Sequence, residues 1–346
     1  MSKEKKQYAA VGGQALIEGI MMMGKAGAAL SLRRADGSIT TRMKPFVRAR
    51  DKHKWLGWPF IRGIVNLIES QVFGYKCMME SMEATTDDLI AEADEPEGKL
   101  DAWLEKHLGE KLVAAVGSIA LVLGLALAFV LFAWLPTQLF SWINAAAAPD
   151  LTSWKALFEG VLRVAIFVGY MFVVSRTKDI HRVFQYHGAE HKTIFCLEAG
   201  KNLTVANVRR QGRFHPRCGT SFIFLTIMLS IAVGAIVLTV FPWLSSYNAL
   251  WIATKIALLP IIMGVGYELI QLAGRYQNWF THALILPGLW MQRLTTAEPD
   301  DSMIEVAIQA LKAAEGLLPP ELIEADPPKL EEIQLQVVPE LRAMDN

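Results

Sequence analysis

Past residue 110 the hydrophobic positions gather in runs too long for the stripe of a soluble amphipathic helix. Leu112 to Leu135 holds no Asp, Glu, Lys or Arg, and at about 1.5 Å per residue it is long enough to cross about 30 Å of hydrocarbon. Ser221 to Leu244 is equally free of charge and runs into Phe241, Trp243, Tyr247 and Trp251, the kind of aromatic belt found at a membrane interface. Trp154 to Ser175 is apolar apart from Lys155, Glu159 and Arg163, and Leu250 to Leu272 apart from Lys255 and Glu268. Four transmembrane helices are the expectation. Charge in lipid is costly, so Glu159 and Arg163, spaced i to i+4 with the acid first, are expected to pair on an inward face.

Shorter patterns flank these spans. Gln14 to Met23 and Ala28 to Leu32 are short apolar runs, and an Asp36-Gly37 turn leads into Ile39 to Phe46, which predicts a β-hairpin or small sheet. Ile61, Ile64, Val65, Ile68, Val72 and Met79 mark an amphipathic helix between Pro59 and Met82, lying along the membrane or on the helix bundle. Glu83 to Glu97 is acidic and reads as a solvated linker. Asn278 to Leu294 is apolar but interrupted by Pro287 and Gly288, which predicts an interfacial or re-entrant helix. Ser302 with Glu305 suggests a capping box for a helix through Ala314, followed by a Pro-rich acidic tail that is partly disordered. No internal repeat is visible.

Charge orients this picture. The 34 basic and 34 acidic residues cancel overall, but Pro136 to Ser153 contains no Lys or Arg. Arg176 to Arg217 carries nine against Asp179, Glu190 and Glu198. The positive-inside rule places that basic stretch, with both termini, in the cytosol. The first residues carry lysines but no apolar core of signal-peptide length. The fold class is therefore mainly α: a polytopic membrane protein with four transmembrane helices, a small N-terminal cytosolic α+β region and a cytosolic His-containing loop. Its segments are 1–56, 57–111, 112–175, 176–220, 221–272, 273–316 and 317–346.

The candidate chemistry sits in the basic loop. Tyr186-His187-Gly188-Ala189-Glu190-His191 contains H-x-x-E-H, the inverted zinc-peptidase pattern. On a helix His187 and His191 lie one turn apart and can reach one metal ion, with Glu190 placed as general base. Chance occurrence and the helix-weakening Gly188 are the bland alternative. Further ligands are offered by His215 and Cys218 in the segment HPRCGTS, and by Glu268 near the cytosolic end of the fourth span; His181 and Glu198 are weaker candidates. His215 and Cys218 with both histidines would form a closed structural zinc site, whereas Glu268 as third ligand would leave the open position of a catalytic one; the reading completes the site with His215 or Glu268. Glu268 could equally be the structural partner of a loop base.

Cys77, Cys196 and Cys218 are too few for a disulfide framework, and a thiol nucleophile at Cys218 or Cys196 ranks below metal binding. Arg209, Arg210, Arg213 and Arg217 are read as topology signal and headgroup contacts rather than as a nucleic-acid surface. Gly12 to Gly24 lacks the spacing of a phosphate-binding loop, and within it Glu18 is read as solvent-facing on a strand, with contact to the loop as the alternative.

Taken together, GGQALIEGIMMMG, WPFIRGIVNLIES, YHGAEHKTI, LTVANVRR, HPRCGTSF and PDDSMIEVAIQALK resemble the YqhQ-like family of bacterial membrane proteins, from about Val11 to about Ala314. The resemblance implies an integral protein of the bacterial cytoplasmic membrane, described at most as a predicted metal-dependent enzyme, and supplies no substrate. The acidic tail after Leu317 looks peculiar to this chain. The reading is a zinc-dependent, hydrolytic membrane enzyme; the alternative is a scaffold or membrane-protein assembly factor with a structural metal or polar network, and a transporter ranks third. Expected partners are the lipid bilayer and other membrane proteins.

Overall fold

The computed structural model describes residues 11–92, 117–147, 150–276 and 278–324. Residues 112–116 of the first apolar run, the end of the acidic stretch and most of the C-terminal tail lie outside them.

Four strands, β1 (Gly12–Leu16), β2 (Gly19–Met23), β3 (Ala28–Arg33) and β4 (Ile39–Lys44), form an antiparallel meander in that order. The β3–β4 turn is closed by Asp36 Oδ1 accepting from Ser38 N at 2.8 Å, and Gly37 sits at φ +83°, where a residue without Cβ is favoured. Both faces of the sheet are buried. Ile20, Met22 and Ala29 face one core, and Leu16, Met21, Leu30 and Leu32 face another. Double burial explains why these strands read as continuous apolar runs instead of alternating ones.

The second core is closed by α1 (Ile61–Glu92), through Cys77 and Ala84. This helix continues well past Met82, so the acidic stretch from Glu83 to Glu92 is helical and not a linker: Ser81 and Ala84 turn inward while acids such as Glu83 stay on the outer face. The first core is closed by α4 (Lys178–Glu198), a short helix at Val205–Arg209, and α8 (Asp301–Ala314). The basic loop is thus largely helical. α8 is capped by Asp300, whose side chain accepts from Met303 N. The expected Ser302/Glu305 box is not formed, because Glu305 reaches across to Arg33 at 2.8 Å.

Four helices are long and apolar enough to cross a membrane: α2 (Gly117–Ala146), α3 (Lys155–Val174), α5 (Gly219–Val240) and α6 (Asn248–Arg275). α2 runs on through Pro136, past the expected end of the first span, because a π-helical turn at Val130–Trp134 absorbs the missing proline donor. Its apolar side chains stay exposed. The expected Glu159–Arg163 pair is replaced. Glu159 accepts from Lys255 Nζ at 2.9 Å and from Trp251 Nε1 at 3.0 Å, while Arg163 donates to Phe132 O and Ser230 Oγ, both at 2.9 Å. Partners on neighbouring helices are aimed at these groups across the bundle, which neighbours on one helix are not.

α7 (Trp279–Thr295) is an unbroken helix despite Pro287, packed against α5. A Cβ on Gly288 would lie 2.6 Å from Ser221 Cβ, so that glycine serves close helix approach rather than a break. α1 joins the two regions of the molecule. Its first turns press Gly63 on Tyr267 of α6, and Arg62 pairs with Glu268.

Candidate metal centre

His187, Glu190 and His191 lie on α4 where it passes under β1 and beside the segment joining α7 to α8. Gly188 makes that approach possible: a Cβ there would fall 2.1 Å from Ala297 O. The residue that weakens the helix in isolation is therefore what lets the Thr295–Pro299 backbone reach the histidines. Phe184 O accepts from Ala297 N at 2.8 Å and fixes the same contact.

The two imidazoles are held alike. His187 Nδ1 lies 2.8 Å from Thr295 O and His191 Nδ1 lies 2.6 Å from Arg213 O. A carbonyl only accepts, so each Nδ1 carries the proton and each Nε2 is turned inward, the orientation that metal-binding histidines take from their outer partners. Cys218, at the start of α5, places Sγ 3.2 Å from His187 Nε2. One ligand atom from each of His187, His191 and Cys218 lies within 4.8 Å of the others. Zn–N bonds of about 2.0 Å and Zn–S bonds of about 2.3 Å span such a set with small side-chain adjustments.

Burial by itself would lower the His187 imidazole, but the Cys218 sulfur, Glu190 and the Thr295 carbonyl together raise that pKa to about 9. Burial would conversely raise the Cys218 thiol, yet His187 and His191 bring it well below its ordinary value. Burial pushes the Glu190 carboxyl up, against the pull of both histidines. Glu190 is 5% exposed and lies under Gly13, where a Cβ would meet its Cδ at 3.0 Å. The nearby Gly13 backbone N–H also acts against that rise.

Other sequence candidates are placed elsewhere. Glu268 accepts from Arg62 Nε at 2.8 Å, the structural-partner alternative, with α1 supplying the base. The His215 ring is 5.5 Å from that of His191, but its Nδ1 faces Arg217 N and its Nε2 faces Glu198 at 3.7 Å; it stands behind the three donors. Glu198 is half-buried and paired with Arg217, so it is more than a loop polar residue. Glu18 is not solvent-facing on a strand. It occupies the β1–β2 turn at φ +50° and binds Arg182 and the Tyr186 hydroxyl of α4, since α4 runs directly beneath that turn. Arg209, Arg213 and Arg217 are likewise engaged within the protein, with Asp301, Thr296 O and Glu198.

Residues 58–316 match the family model described as "Protein of unknown function (DUF1385)". The chain belongs to this DUF1385 family. It is 35% identical over 312 residues, covering 90% of this chain and 93% of the relative, to "Uncharacterized protein YqhQ" of Bacillus subtilis (strain 168). No solved structure matches. In this DUF1385 chain the matched stretch contains His187, Glu190, His191 and Cys218, whereas the sheet and Glu18 precede it.

Sequence reasoning missed Gln292. It is fully buried on α7, its Oε1 accepting from His215 N at 2.7 Å and its Nε2 donating to His215 O at 2.7 Å and Ser221 Oγ at 2.9 Å. This clamp holds the segment that delivers Cys218. The only sequence signal was a lone amide in an otherwise apolar helix.

Proposed function

We propose that this protein is an integral enzyme of the bacterial cytoplasmic membrane, zinc-dependent and hydrolytic, with its centre at the cytosolic face. His187, His191 and Cys218 are the ligands, and Glu190 is the general base. One observation carries the reading: two histidines whose Nδ1–H groups are both fixed on main-chain carbonyls turn their Nε2 atoms toward one thiol. Three protein ligands leave a fourth position for water or substrate, as catalytic zinc sites do. Zinc, when bound, supplies Lewis acidity that brings the pKa of coordinated water to about 7. Glu190, buried beneath Gly13 of β1, is placed to accept a proton there.

The membrane assignment rests on the four apolar helices and on the Lys and Arg concentrated between α3 and α5. A cysteine introduced at Asn202 is expected to resist membrane-impermeant labelling in intact cells; labelling from outside reverses the topology. The burial of His191, Glu190 and Cys218 favours one second reading, a structural metal in a non-enzymatic scaffold or assembly factor. Zinc stoichiometry combined with complementation of a deletion strain separates the two. His187→Ala, His191→Ala and Cys218→Ala are expected to lose both metal and function, and Glu190→Gln to keep metal while losing function. Full complementation by metal-loaded Glu190→Gln removes the general base and leaves the scaffold.

A further inference from the structure

A cavity of about 530 Å³ lies among the four apolar helices, and none of the His/Cys centre's residues lines it. Its walls are mostly apolar side chains such as Ile227, and the polar ones that reach it are Glu159, Arg163, Thr226, Ser230 and Lys255. Its size and its apolar lining with a few polar groups are those of a small-molecule site. Arg163 is the middle residue of Thr152–Val174, about 17 Å from either end at 1.5 Å per residue. Ionisable groups at that depth are costly and mark ligand paths.

The charges do not cancel. Glu159 is taken by Lys255 and Trp251. Arg163 uses Nε on Phe132 O and Nη1 on Ser230 Oγ, both uncharged, and forms no ion pair among the described residues. The Phe132 carbonyl belongs to the π-helical turn of α2, which frees a backbone acceptor to hold the guanidinium at the cavity wall, and such turns recur at functional sites. The cavity therefore carries one cation in excess inside a predominantly apolar enclosure.

We infer that this cavity binds a long-chain carboxylate, with its chain among the apolar walls and its carboxylate on Arg163. A single negative charge matches the single excess cation, and a planar carboxylate suits the guanidinium fork. A phosphodiester lipid carries a bulky polar headgroup that this lining has no groups to satisfy, and its headgroup belongs at the interface rather than at mid-span. The inference needs only the packing of the four helices and is independent of the zinc reading.

Native mass spectrometry of the purified full-length protein, with palmitate, its methyl ester or phosphatidylglycerol added, tests it. Palmitate is expected to bind one per chain, at least about 10-fold more tightly than the ester or the phospholipid. Arg163→Gln should weaken palmitate by roughly 10–100-fold, the range for a lost charge-assisted contact. Ile227→Trp, which fills the cavity and keeps Arg163, should abolish binding, whereas Ile236→Trp, exposed on the same helix, should bind like wild type. Equal binding of palmitate and its ester, preference for phosphatidylglycerol, or unchanged binding in Arg163→Gln overturns the inference. Should Arg163→Gln fail to fold, wild-type binding by Ile227→Trp overturns it alone.

Discussion

Two polar clusters in this molecule are built on opposite logic. Around Glu159 the carboxylate is neutralised across the bundle by Lys255, and Arg163 is held by uncharged acceptors. At His187, His191 and Cys218 the main chain takes the outer atom of each imidazole, and the inner atoms are left facing a common point. The first arrangement resolves the cost of burying charge. The second brings three potential metal-ligating atoms together. The Glu159–Lys255 pair neutralises itself within the bundle, whereas the His/Cys group gathers the atoms that the proposed metal would use.

The contrast is tested most strongly by removing Glu159. Glu159→Leu leaves Lys255 buried without its counter-charge, and is expected to cost about 3–5 kcal/mol, read as a fall in the thermal midpoint or in folded yield. Adding Lys255→Met should recover most of that loss, because the remaining pair is apolar. A double variant as unstable as the single would mean that the pair is not self-contained.

Gln292→Leu should act on the other cluster. It strips partners from the His215 backbone, costing about 1–3 kcal/mol, and loosens the segment that delivers Cys218, weakening zinc roughly 10–100-fold as outer-partner losses do. Zinc titration beside a melting curve separates the two effects, and unchanged affinity would show that the clamp does not position the thiol.

Gly188→Ala drives a methyl group into Ala297 O, with an expected loss of about 1–3 kcal/mol from overpacking. Gly212→Ala, with nothing within 4 Å, is the control. Equal stability in the two variants would remove the tight α4 approach from the account.

The smallest effect is a pH signature of the metal-free protein. His187 is raised from 6.5 to about 9, so its contribution is complete below pH 6.5 and lost as pH rises through about 9. Cys218 is lowered from 9.0, so its contribution is complete above pH 9 and lost as pH falls through the depressed value. Between pH 6.5 and 9 the folded and unfolded pairs each hold about one proton, and the slopes cancel. In chelator, the midpoint difference between wild type and the His187→Gln/Cys218→Ala double variant should therefore stay flat across that window. A steady slope would show that thiolate and imidazolium are not paired.

Much of the fold was legible because its signals are local. Four apolar runs announce four helices, Asp36-Gly37 announces a turn, and the i to i+4 spacing of His187 and His191 places two donors on one face. Glu159 shows where locality fails: its natural partner by spacing is Arg163, but Lys255 lies 96 positions away and is better aimed. The third member of the His/Cys group is a similar case. By sequence His215 or Glu268 was expected to complete the site, with Cys218 joining only beside His215 in a closed set, whereas the residue grouped with the two histidines is Cys218 without His215. The tertiary structure decided, by bringing the start of α5 against α4 and by giving Glu268 to Arg62 of α1. The same holds for the sheet, where Gly13 covers Glu190 and Glu18 grips Arg182, 164 residues on. Hydrophobicity and helical periodicity act between near neighbours, so the sequence determined the elements and two of the three donors. Which distant side chains meet depends on how whole faces pack, and only the assembled fold determines that.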